Sequence, residues 1–182
     1  MGNVGEIREW VKKQFEPEDY QYHILGVVKY ALWLAKAYKV DPEVVELAAL
    51  LHDIGRADTT HDEDHHLAGV PIAEKILREH NYSDEVIAEV KHCIESHRSN
   101  EGPEPETILA KIIANADAMV HFDHIPLFFY WRAKQGVKFE DIVSWVDKKL
   151  ERNWTTKITL PEARELMKTK YLSAKMMLSA MH

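Results

Sequence analysis

Cysteine is nearly absent: the 182 residues contain one, Cys93. A lone thiol forms no intrachain disulfide and supplies no cysteine cluster for a structural zinc. That fits a reducing compartment, and the expectation is a cytoplasmic protein. Glycine and proline are scarce, at seven each, and fall between periodic segments. No Asn-Gly or Asp-Gly hairpin signal occurs and no strand-like alternation persists, which excludes a β fold. The longest apolar run, Ile125 to Trp131, has seven residues, far too few to span a bilayer. The opening MGNVGEIREW lacks the basic start and apolar stretch of a signal peptide, and Glu6 stands where myristoylation needs Ser or Thr. Positive charge is also in deficit: 23 Lys and Arg face 30 Asp and Glu, a formal net charge of −7. Extended nucleic-acid binding calls for a basic stripe and is not expected. An acidic chain suits a protein that concentrates cations.

What is present is helical periodicity and histidine. Helices are predicted over about 4–15 and 19–38, then from Pro42 behind an Asp41 cap to about His52. Residues 54–64 read as a polar loop, with His61 and the acidic run Asp58 to Asp64 as a candidate flap. Further helices are predicted over about 65–78, after a Ser83 cap, and over about 106–120 beyond Pro103 and Pro105. A last one starts near Pro161, where Thr159 and Glu162 have capping-box spacing. Met176, Met177 and Met181 read as core filler. The expectation is one all-α domain over residues 1–182, a helical bundle.

Eleven histidines are many, so their faces matter. At about 100° per residue, His23 falls amid Val27, Tyr30 and Leu34, and His97 amid Val86, Val90 and Cys93, while His92 points away. On the next helix His66 aligns with Val70, Ala73 and Leu77, and is preferred to His65. Asp117 borders the stripe of Leu109, Ile113 and Val120, and the pair His52–Asp53 closes an apolar helix. One inward histidine is ordinarily a hydrogen-bonded core residue. Five or six buried ionisable groups together are costly unless something binds them. Imidazole and carboxylate suit Zn, Fe, Mn and similar ions.

The order His23, His52–Asp53, Asp117 resembles the HD domain of metal-dependent phosphohydrolases. LLHDIGR (50–56) resembles its second motif and ANADAM (114–119) its last. His66 in HHLAG and His97 in CIESH are similar to the extra histidines of the dinuclear branch. The resemblance runs from about residue 20 to 120, with 121–182 as further helices completing the bundle. HRSNEGPEPET departs from the Gly-Tyr-Pro branch. The resemblance implies an all-α bundle with a metal site in its core. It implies His23, His52, Asp53 and Asp117 as ligands of one ion, with Asp53 bridging to a second held by His66 and His97. His65 and His92 remain alternatives to His66.

One or two divalent ions (Mn, Fe, Ni, Co, Mg or Zn) would lower the pKa of a shared water and hold a hydroxide near a phosphoryl group. The first expectation is hydrolysis of a phosphate ester or anhydride, with a nucleotide as the small-molecule substrate. Arg56 and Arg98 would grip its phosphate. The alternatives are a mixed-valence di-iron oxygenase of the same fold and a non-catalytic nucleotide sensor. A homodimer is compatible with the sequence. HFDHIPLFFYW (121–131) is either an aromatic wall for a base or plain core packing. His121 and His124 read as pocket lining or polar surface.

Overall fold

The computed structural model describes residues 3–57, 65–98 and 102–181. Four of its helix starts follow capping residues. Asn3 accepts from the Gly5 amide at the start of α1 (Val4–Lys12). The π-helical turn Asp19–Ile24 leads into α2 (Leu25–Tyr38), which ends at Lys39 in the left-handed region, φ 55°. Asp41 accepts from the Glu43 amide at α3 (Pro42–Leu51), and a 3-10 turn, Ile54–Ala57, follows. Next come α4 (His65–Glu79) and α5 (Asp84–Ser96), the latter capped by Ser83. Thr107 caps α6 (Ile108–Asp123). Beyond it lie α7 (Ile125–Lys134), α8 (Phe139–Arg152), a π-helical turn Asn153–Lys157 and α9 (Pro161–Ser179).

The helix α6 is the axle of the bundle. It is buried on every side from Ile112 to Phe122, the polar Asn115, Asp117 and His121 included. It packs on α2, α5 and α9, and the turn Asn153–Lys157 lies against it. At the α2 crossing a Cβ on Gly26 would stand 2.4 Å from Val120 Cγ2, so glycine permits the close approach. No strand occurs among the described residues, and no helix there is long and apolar enough to cross a membrane.

Three expectations need correction. The predicted 19–38 helix is not uniformly α: its first turn, Asp19–Ile24, is π-helical. Extra-wide turns of this kind often occur at functional sites. Thr159 and Glu162 form no capping box, for Leu160 is the N-cap and lends no side chain. The Thr159 and Leu160 amides instead donate to Asn115 Oδ1, at 2.9 and 3.1 Å, tying the start of α9 to α6. Glu162 accepts from the Tyr38 hydroxyl. Met176, Met177 and Met181 are not core filler but exposed, at 73, 41 and 42%. The stretch 58–64, with the candidate flap and His61, lies outside the described residues.

Candidate metal centre

The sequence LLHDIG makes a sharp break: α3 is apolar to Leu51, then the chain turns through His52 and Asp53 into the 3-10 turn. A Cβ on Gly55 would lie 1.9 Å from the His65 carbonyl oxygen and 2.6 Å from the Gly69 amide nitrogen. Two glycines therefore let the α4 backbone settle on the turn that carries Asp53. This contact selects the face of α4. It brings His65, rather than the preferred His66, to the carboxylate. The buried side of α4 runs through Gly69, Ala73 and Ile76, within about 80° of His65. His66 is also buried, with its ring 6.1 Å from that of His65 and edge-on to it. It belongs to none of the groups close enough to hold an ion, among the described residues.

Asp53 is the hub. Its Oδ2 lies 3.1 Å from His23 Nε2, 3.6 Å from His52 Nε2 and 2.8 Å from Arg56 Nε. Its Oδ1 lies 3.0 Å from His65 Nε2 and 3.3 Å from His97 Nε2. One carboxylate thus faces two imidazole groups, one on each oxygen. Asp117 extends the first group, with Oδ1 3.7 Å from both His23 Nε2 and His121 Nε2. Three sets have ligand atoms near enough to share an ion: His23–His52–Asp53, His23–Asp117–His121 and Asp53–His65–His97.

The donor chemistry fits a cation. His52 Nδ1 is 2.8 Å from the Ala49 carbonyl and His97 Nδ1 is 2.7 Å from that of Ile94. A carbonyl only accepts, so Nδ1 carries the proton and the Nε2 lone pair points into the cluster, the arrangement of metal-ligating histidines. Asp53 Oδ1 is buried and, among the described residues, receives no hydrogen bond, despite the two imidazoles beside it. Such a carboxylate oxygen is costly unless a cation meets it.

Electrostatics keep these groups in their ligating forms. Burial works to raise the Asp53 carboxyl, but Arg56, His52, His23 and His65 hold it well below the usual carboxylate range. Burial likewise opposes ionisation of Asp117, yet Lys157, His121 and His23 hold it low. Burial pushes His52 down to about 4, so it is neutral at pH 7. His121 is pushed down by burial and by the Lys149 ammonium.

The remaining expected residues divide cleanly. Arg56 and Arg98 both line the cavity over the cluster. His92 faces away, its Nε2 accepting from the Glu106 amide at 3.1 Å. The aromatic segment splits: Phe128 and Trp131 line the cavity, while Phe129 packs on Phe139 and Tyr130 is exposed. His121 and His124 are buried cavity lining. Lys157 was missed. Its Nζ donates to Asp117 Oδ2 and to the His97 carbonyl, 3.1 Å each. Lys149, Arg152 and Trp145 were missed too. Nothing in the 121–182 pattern marks them, because a cavity wall contributed by a distant segment leaves no local spacing.

The cavity has a volume of about 1180 Å³. Among the described residues eight Lys and Arg side chains line it against four carboxylates, a local excess of positive charge in an acidic chain. Such a cleft concentrates anions.

Residues 20–120 match the family model described as HD domain, and the chain belongs to that family. An uncharacterised protein of Methanocaldococcus jannaschii is 31% identical over 159 residues, 79% of this chain and 84% of that protein. A tRNA (cytidine(56)-2'-O)-methyltransferase of Picrophilus torridus is 35% identical over 113 residues, 57% of this chain but 32% of that enzyme. A ribonuclease Y of Alkaliphilus metalliredigens is 30% identical over 132 residues, 71% of this chain but 23% of that enzyme. The chain therefore spans about a third and a quarter of those two enzymes. The crystal structure of a predicted HD superfamily hydrolase from an uncultured Thermotogales bacterium shares the fold. It has a TM-score of 0.58 at 24% identity, over 81% of this chain and 85% of that one.

Proposed function

We propose that the chain is a metal-dependent phosphohydrolase cleaving a phosphate ester or anhydride of a small substrate, a nucleotide. The observation that carries the reading is Asp53, one carboxylate with a separate imidazole group on each oxygen. His23, His52, Asp53 and Asp117 would hold one divalent ion, and Asp53, His65 and His97 a second. When bound, such ions supply an activated water at neutral pH and stabilise charge building on the phosphoryl oxygens.

The chain's own side chains do the rest. Lys157 and His121 fix the Asp117 carboxylate from two sides. His121 is itself set by Asn153, whose amide nitrogen is 2.8 Å from its Nδ1. Arg56 braces Asp53 and stands with Arg98 at the cavity wall, where both meet an incoming phosphate. Phe128, Trp131 and Trp145 offer flat apolar surface in the same cavity, suited to a base. Two relatives are by name enzymes of RNA, which supports a nucleotide over a sugar phosphate. Assay of a panel of nucleotides and simple phosphate esters with Mn, Co, Ni, Mg or Fe added tests the reading. Turnover that chelation abolishes is expected; metal-loaded protein inert on every member refutes it.

A further inference from the structure

The eight cations that line the cavity among the described residues are not equivalent. Arg56 is engaged by Asp53 and Lys157 by Asp117. Lys149 is different. It sits on α8 with its ammonium 5.4 Å from the Phe128 ring centre and 5.6 Å from that of Trp145. No carboxylate lies within ion-pair distance of it, and no acceptor within hydrogen-bond distance, among the described residues. The acids nearest it on its own helix are turned away: Asp147 and Glu151 pair with Lys175 on α9, and Glu151 also accepts from the Tyr171 hydroxyl, while Glu140 and Asp141 are exposed in the first turn of α8. Arg152, three residues on and so on the same face of α8, also lines the cavity, with no acidic partner among the described residues. The charges acting on Lys149 are the attraction of Asp117 and the repulsion of Lys157, Arg152 and Arg56.

An ammonium enclosed by two aromatic rings and facing three other cations is unfavourable until an anion arrives. The aromatic rings offset only part of that. The place is also distinct from the Asp53 cluster. Lys149 touches Phe128, Phe128 lies 5.4 Å from His121, and His121 borders Asp117. An anion there lies beside the reacting group, not on it.

We propose that Lys149 and Arg152 form a second anion subsite that determines specificity. It holds a phosphoryl group of the substrate other than the one hydrolysed. The preferred substrate then carries at least two phosphoryl groups, as nucleoside di- and triphosphates do, with its base near Trp145 and Phe128. This rests on the phosphohydrolase reading for the identity of the substrate, though not for the binding of the anion.

Two measurements separate the ideas. In the first, inorganic triphosphate is titrated calorimetrically into the metal-free full chain and into K149Q, R152Q and K149R. Wild type should bind, K149Q and R152Q should bind roughly tenfold more weakly or worse, and K149R should stay near wild type. No binding by wild type, or binding indifferent to both residues, overturns the subsite. In the second, hydrolysis of a nucleoside monophosphate and the matching triphosphate is compared in the metal-loaded proteins. The K149Q penalty should fall on KM and be roughly tenfold greater for the triphosphate. Equal penalties on both substrates overturn the subsite. Lys149-dependent binding without hydrolysis of any ester would uphold the subsite and refute the phosphohydrolase. Arg152 is exposed, so R152Q tests the idea even if K149Q folds poorly.

Discussion

Gly55→Ala should unseat the metal centre without altering any ligand side chain. The added methyl would stand 1.9 Å from the His65 carbonyl oxygen, 2.6 Å from the Gly69 nitrogen and 2.8 Å from the His65 carbonyl carbon. All three atoms are backbone, so no rotamer change relieves the overlap. The α4 N-terminus must withdraw by about 1 Å or more to restore ordinary contact. Overpacking of this kind costs about 1–3 kcal/mol, and a backbone obstruction puts this site at the upper end. For a chain of this size that is roughly 6–12 °C in Tm. The same shift carries His65 off Asp53 Oδ1, where it now stands at 3.0 Å. Metal bonds tolerate about 0.2 Å, so affinity at that side should fall roughly 10–100-fold, the range seen when a ligand loses its support. Calorimetric Mn titration and thermal melting read both effects. Gly136→Ala is the control: φ is +78° with nothing within 4 Å of a new Cβ. It should cost about 1 kcal/mol of backbone strain and leave Mn binding intact. Gly55→Ala with wild-type Tm and wild-type Mn affinity would refute the glycine-contact argument.

Other outcomes follow from the charges. Lys157→Met leaves Asp117 buried without its cation, so metal-free protein should lose about 3 kcal/mol. Saturating Mn should remove most of that loss, as parallel melts with and without chelator would reveal. Acid should destabilise the metal-free chain early. Burial holds His52 and His124 at about 4, so the unfolded chain takes up protons first, near 6.5. Stability is therefore full above about pH 6.5 and declines as pH falls toward 4, by roughly 3 kcal/mol for His52 alone. Asp53 and Asp117, held low, add to the loss only below the ordinary carboxylate range. Urea midpoints at pH 7.5, 6 and 5 check the slope, and a flat profile would contradict it.

The helices and the inward faces of His23, His97 and Asp117 were legible because capping residues and 3.6-residue periodicity are local signals, while His52 and Asp53 were marked by the HDIG motif. The choice between His65 and His66 was not. Both lie within the buried side of α4, and what separates them is the fit of Gly69 against Gly55, a contact between segments. The glycines of HDIG and HHLAG were the available clue. The phase at His23 came out right although a π-helical turn intervenes, since the burial of Tyr20 and Ile24 still turns that residue inward. Lys149, Arg152, Trp145 and Lys157 were illegible for another reason. They reach the cavity from α8 and the turn after it, where a cation is indistinguishable in sequence from one on a solvated face. Met176 and Met177 of α9 and Met181 beyond it failed as core filler because the end of that helix carries more apolar positions than it buries, whereas Met167 earlier in α9 is fully buried.

Asp53 joins two imidazole groups, with His65 on the second. The metal-to-chain ratio of Mn-loaded protein, by emission spectrometry, tests it most directly. Wild type should hold about two ions per chain, His65→Ala about one, and His66→Ala about two. A wild-type ratio near zero, or a loss in His66→Ala with His65→Ala unchanged, would contradict the account.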